Sequence, residues 1–347
     1  MNEGNQTPTE AVHSPPHPNP LPRVGEGVAP PDHLIRRALS NGRVILGGAM
    51  LVIVIGMCVG TLPWTLQKDS RYHFDYQDDM LPEQPPAWRV HEDPQDDKSP
   101  LIDSRAYLFG TDKLGRSIFA RCLMGGTISL AVGVASAFIS VILGVSVGML
   151  AGYRGGWIDQ LLMRIVDVMY GLPYVLLIIL LKIAFEPALE NFFGTRAASN
   201  IVTMFLAIGL VSWLTMARVV RGQVLSLRSQ PFVEACRAMG LPEWRIFSRH
   251  IFPNLIGVVI VYATLTVPVA ILQESFLSFL GIGVAAPMPS WGSLAAEGVQ
   301  QAFQPFRSSW WMLAFPCIFL AVTLLCLNFV GDGLRDLFDP KREAAKI

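Results

Sequence analysis

The chain has 347 residues, of which 52% are hydrophobic and 16% charged. That charged share is well below the ~25% of soluble domains, and a soluble core has no room for so much apolar surface. Lys+Arg and Asp+Glu are both 27, which excludes a basic nucleic-acid-binding protein, and five cysteines with no CxxC or zinc spacing exclude a disulfide or zinc scaffold.

Residues 1–40 are polar and proline-rich and are expected to form a disordered tail. A helix rises ~1.5 Å per residue against ~30 Å of hydrocarbon, so about 20 apolar residues cross it. The first such run, Val44–Gln67, begins too late for a cleaved signal peptide and places the first membrane helix at 41–67. Residues 68–105 then read as an acidic external loop, either a solvated surface or a docking surface for a soluble partner. The second run, Cys122–Tyr153, carries Gly133, Gly144 and Gly148, the last two a GxxxG pair suited to close helix packing.

A third span is expected over Leu161–Phe185, with Arg164 and Asp167 near one end and Lys182 near the other. Ala197–Ala217, Ile251–Gln273 and Ser308–Gly331 are uncharged and make the fourth, fifth and sixth. Ser275–Ala296 is also uncharged, but Gly281, Gly283, Pro287 and Pro289 predict a loop that partly re-enters the membrane. The expected fold is all-α and polytopic, with six transmembrane helices, a main membrane domain at 106–336 and a carboxy-terminal tail at 337–347.

Charge asymmetry orients the spans. The connection Arg218–His250 carries six arginines against Glu234 and Glu243, so it is expected to be cytoplasmic, and alternation puts both termini on that side. Trp310 and Trp311 then fall in an aromatic belt at the external interface.

Few motifs suggest chemistry. Gly110–Ser117 approaches the phosphate-binding pattern G-x-x-x-x-G-K-[ST], but Arg116 replaces the lysine that reaches the phosphates and no buried strand precedes it. No HExxH motif or Cys–His cluster occurs, so no assembled catalytic site is expected. In the arginine-rich connection, Pro231 suits a first helical position and Glu234 complements the dipole of the first turn. Phe232, Ala235, Cys236 and Met239 recur at helical spacing, predicting one apolar ridge. Gly240 suits a left-handed cap, and Pro242 can start a second short helix, so two short helices bent at Gly240 are expected over 231–250. By pattern alone this is either an amphipathic linker on lipid headgroups or a protein-docking element.

The same residues resemble the coupling motif of ATP-binding-cassette importer permeases: Glu234 and Ala235, then Gly240, then Pro253. Cys236, His250 and Phe252 depart from that motif. Gly110-Thr-Asp-x-x-Gly-Arg, Ala151-Gly-Tyr-x-Gly-Gly156 with Asp159, Ala270-Ile-Leu-x-Glu274, Pro289-Ser-Trp291-Gly292 and Gly331-Asp-Gly-Leu-Arg-Asp336 extend the resemblance from about residue 107 to the end. Together they are similar to the second permease subunit of dipeptide, oligopeptide and nickel importers.

The resemblance implies a type I importer permease fold in a bacterial cytoplasmic (inner) membrane. It also implies a second permease subunit, two cytoplasmic ATPases that hold the ATP and Mg, and an external solute-binding protein. No cofactor is expected on this chain. Phe232, Cys236 and Met239 would fill a groove on the ATPase, with Glu234 and Arg237 paired at its rim. Arg164 and Asp167, three residues apart, are expected either to neutralise each other or to contact solute. Glu274 either lines the pathway or fastens the loop at Ser290 and Trp291. A rival reading is an ion-coupled carrier or channel that uses Asp167 and Glu274 and needs no ATPase.

Overall fold

A computed structural model describes residues 42–67, 70–79, 81–89, 107–304 and 308–338. The expected tail at 1–40, residues 339–347 of the expected tail at 337–347, and the 90–105 part of the acidic loop lie outside the described residues. In chain order the helices are α1 (Gly42–Gly60), α2 (Leu62–Thr65), α3 (Ile118–Arg154), α4 (Gly156–Tyr170), α5 (Tyr174–Phe193), α6 (Arg196–Arg228), α7 (Pro231–Ala238), α8 (Glu243–Ile246), α9 (Phe252–Phe279), α10 (Trp291–Ala302) and α11 (Trp311–Phe338). A π-turn at Phe247–Ile251 joins α8 to α9. Among the described residues no strand forms; Thr111 and Ser117 make an isolated bridge.

Among the described residues five stretches are long and apolar enough to cross a membrane, and α4 with α5, bent by 98°, brings the number to six if the pair is counted as one broken span. The expected third span is therefore not one straight helix. The break falls at Gly171–Pro173, because proline lacks the amide donor and disfavours helical geometry at Leu172 before it. The expected re-entrant loop is also revised. Its first residues continue α9 to Phe279, and α10 starts at Trp291, where Ser290 and Ser293 form a capping box. Only the intervening turn keeps the Gly281, Gly283, Pro287 and Pro289 breakers.

α3 is central and packs most broadly on α6. Gly144, Gly148 and Gly152 line the contact at four-residue spacing. A Cβ on Gly148 would stand 2.5 Å from the Ala217 carbonyl oxygen and 2.9 Å from the Val220 Cβ. Small residues let the two backbones approach, which is the packing available where lipid tails remove the hydrophobic drive. Val52 and Ile53 of α1, Phe138 of α3 and Ile183 of α5 stay exposed, forming an apolar girdle suited to lipid.

At the end where α3 begins, an ionic cluster clamps the preceding loop. Asp112 accepts from the Leu114 and Arg116 amides at 2.9 Å, from Arg116 Nε at 2.7 Å and from Arg121 Nη1 at 2.6 Å. Arg121 also grips Glu297 of α10 at 2.6 and 3.0 Å. The turn that resembles a phosphate loop thus encloses its own carboxylate.

Candidate functional site

Two features stand out at and above the arginine-rich end. The first is α7, which crosses that end of the bundle. Pro231 opens it, where a missing amide donor costs nothing. Gly240, at φ +75°, closes it in a Schellman arrangement: the Leu241 amide donates to the Cys236 carbonyl at 3.1 Å and the Gly240 amide to the Arg237 carbonyl at 2.9 Å.

Val233 and Cys236 are buried among Val220 and Val224 of α6, Ile246 of α8, Ile251 of the π-turn and Leu255 of α9. Glu243 ties the element down from its other side. It accepts from Arg237 Nε at 3.0 Å and from the Tyr153 hydroxyl at the end of α3. Facing away, Glu234, Ala235 and Ala238 are exposed, Met239 is 71% exposed and Trp244 74%.

The second feature is a groove of about 570 Å³ between the α4–α5 break, α6 and α9. Tyr170, Pro173 and Tyr174 line it from the break, Ser212 and Thr215 from α6, and Tyr262, Thr266 and Gln273 from α9, among apolar side chains. No lining residue is charged. Beside it, the Arg218 guanidinium lies 3.8 Å from the centroid of the Tyr170 ring and donates to Asp167 at 2.7 Å. Among the described residues, no three His, Cys, Asp or Glu side chains converge as metal ligands would.

The predicted ridge is corrected by this geometry. Phe232, Cys236 and Met239 do not share an outward face: Cys236 is buried in the bundle, Phe232 is half-buried against it, and only Met239 points away. Arg237 pairs with Glu243 rather than with Glu234. The second short helix is the foot of the long α8–α9 rod, and Pro253 sits in the first turn of α9. Pairing of Arg164 with Asp167 is also replaced, because Arg218 of α6 reaches Asp167 while Arg164 is exposed.

Glu274, Ser290 and Trp291 are all fully buried, so none of them lines the groove. The Glu274 carboxylate accepts from Ser129 at 2.7 Å and Ser278 at 2.6 Å. Trp291 donates through Nε1 to the Cys122 carbonyl at 3.0 Å, and a Cβ on Gly292 would strike the Ser275 carbonyl oxygen. These residues fasten α10 against α3 and α9. The carboxylates that an ion-coupled carrier would use are thus held in an ion pair and in a hydroxyl cage. Sequence reasoning missed the groove. Its signals were hydroxyl and amide side chains scattered through otherwise apolar spans, and the proline between two tyrosines.

Helices long and apolar enough to cross a membrane, with an uncharged groove among four of them and an exposed cross-helix at one end, define a polytopic membrane protein. The family model described as "Binding-protein-dependent transport system inner membrane component" matches residues 144–344. The oligopeptide transport system permease protein OppC of Haemophilus influenzae is 47% identical over 235 residues, 68% of this chain and 70% of that protein. The dipeptide transport system permease protein DppC of Bacillus subtilis is 44% identical over 241 residues, covering 70% and 71%. OppC of Escherichia coli is 41% identical over 306 residues, covering 88% and 90%. The chain belongs to the family of binding-protein-dependent transport inner membrane components, and it is a permease of an ABC importer.

Proposed function

We propose that the chain forms half of the translocation pathway for peptides in a type I importer of a bacterial inner membrane, with the arginine-rich end and both termini cytoplasmic. Its partners are a second permease, two ATPases that bind the ATP and Mg, and an external solute-binding protein; the chain itself holds no cofactor. The names of the oligopeptide and dipeptide permeases it resembles support the substrate class.

The observation that carries this reading is the seating of α7. Its buried side rests on α6 and on the foot of α9, and those two helices also line the groove. A push on the exposed side at Glu234, Ala235 and Met239 is therefore delivered to the groove walls. Two ATPases that bind α7 differently in their open and closed states would shift the bundle between its accessible states, because only a differential interaction moves such an equilibrium.

The test is ATP hydrolysis by the reconstituted complex. Glu234→Lys or Gly240→Pro should abolish the stimulation by loaded binding protein while membrane insertion persists. Wild-type stimulation in both variants would overturn the coupling role. ATPase subunits should also copurify with the tagged chain and be lost when residues 232–240 are scrambled.

A further inference from the structure

The groove has an unusual balance of polar groups. The Tyr170 hydroxyl and Thr215 Oγ1 are paired with each other, and Thr266 Oγ1 donates to the Tyr262 carbonyl at 2.7 Å. Ser212 Oγ and Gln273 Oε1, one on each of the two helices that seat α7, have no hydrogen-bond partner. A buried acceptor or donor without a partner is costly, and at membrane depth polar side chains serve either helix–helix bonds or a solute path.

The nearby charges are turned elsewhere. Glu274, next in sequence to Gln273, is enclosed by Ser129 and Ser278. Lys182 donates to the carbonyls of Ile282 and Gly283, and Asp167 is held by Arg218. Besides the exposed phenols of Tyr174 and Tyr262, what the groove has to spare is therefore the Ser212 hydroxyl and the Gln273 carboxamide, which match the donor and acceptor of a peptide bond and carry no charge preference.

Building on the peptide reading, we propose that Ser212 and Gln273 are the points at which the groove holds the backbone amides of a passing peptide, without reading the charge of its side chains. A carboxamide offers an acceptor and two donors, so one side chain can pair with either edge of an extended backbone. Uncharged contacts of this kind also hold weakly enough to release.

The experiment uses the full complex in proteoliposomes with saturating loaded binding protein and three tripeptides of neutral, basic and acidic side chains. The readout is peptide moved per ATP hydrolysed, which a mere loss of assembled complex leaves unchanged. Gln273→Leu and Ser212→Ala should each lower that ratio about three- to tenfold, the size expected for one hydrogen bond. The fall should be equal for all three peptides, and Gln273→Asn should recover part of it. An unchanged ratio overturns the proposal, as does a fall confined to one peptide charge. Dissociation of the second permease in Gln273→Leu also overturns it, by assigning the carboxamide to the subunit interface. If the wild-type complex moves none of the peptides, the functional reading itself fails; if it moves them and the variants match it, only the assignment of Ser212 and Gln273 fails.

Discussion

Arg218 donates to Asp167 at 2.7 Å while its guanidinium lies 3.8 Å from the centroid of the Tyr170 ring. The pair joins the last turn of α4 to α6 at the side of the groove. Both partners are substantially exposed, at 41% and 59% of their side chains, so the bond carries little global stability and is screened by salt. Its effect is local to the last turn of α4, because the first turn is held to α6 separately by the bidentate pair of Arg221 with Asp159, and Val166 is buried between them.

Arg218→Ala should change the melting temperature of the purified complex very little, since such pairs contribute ~1 kcal/mol or less. Amide exchange over 164–170 should rise several-fold, with α6 and the first turn of α4, held by Arg221 and Asp159, unchanged. Arg218→Lys should lie between the two, because an ammonium keeps the charge but not the planar stacking on Tyr170. Unaltered exchange in Arg218→Ala would show that the pair does not hold α4.

Gly240 makes a second prediction. Its φ of +75° is open to glycine, and a Cβ there would meet nothing within 4 Å. Substitution is therefore opposed by backbone strain alone, about 1 kcal/mol for alanine and less for asparagine, which tolerates this region. Stimulated ATP hydrolysis should fall in the order Gly, Asn, Ala, Val. A flat series would mean that the angle set by Gly240 is not what presents α7.

The α3–α6 contact separates two glycines of opposite sensitivity. Gly148→Ala forces a Cβ to 2.5 Å from the Ala217 carbonyl oxygen, so the helices must part and the melting temperature should drop, at about 1–3 kcal/mol. Gly222→Ala meets nothing within 4 Å and should be neutral or slightly stabilising, because alanine is the better helix former. Equal melting temperatures for the two variants in detergent would contradict close packing at Gly148.

Tyr107 gives a pH dependence in the loop ahead of α3. Burial, and then the charge of Asp78, push its hydroxyl pKa from 10.0 up to about 12. The folded loop holds this proton more tightly than the unfolded chain. Its contribution is therefore complete below pH 10 and falls away as the pH rises toward 12. Thermal melts across this window should show the loss, and Tyr107→Phe should flatten that part of the curve.

Much of the architecture is legible before any coordinates. The uncharged runs from Val44, Cys122, Ala197, Ile251 and Ser308 each coincide with a long helix, because crossing hydrocarbon requires an unbroken apolar stretch. The Gly144–Gly148 pair likewise announced a close contact, and Gly240 announced the turn that ends α7. Leu161–Phe185 misled because composition cannot distinguish a straight apolar helix from two that meet at Pro173.

The orientation of side chains is a different matter. α7 has eight residues and apolar side chains on more than one side, so spacing could not say which side the bundle would cover. Packing against Val220, Val224 and Leu255 turned Val233 and Cys236 inward and left Ala235 and Met239 free. Glu274 posed the same problem: a carboxylate near the end of a span serves a pathway or a joint equally well until the hydroxyls of Ser129 and Ser278 enclose it. Local patterning decides what enters the membrane, because transfer into hydrocarbon is additive along the chain. Which face meets a groove or a partner depends on residues far apart in sequence, and only their packing chooses among faces of similar polarity.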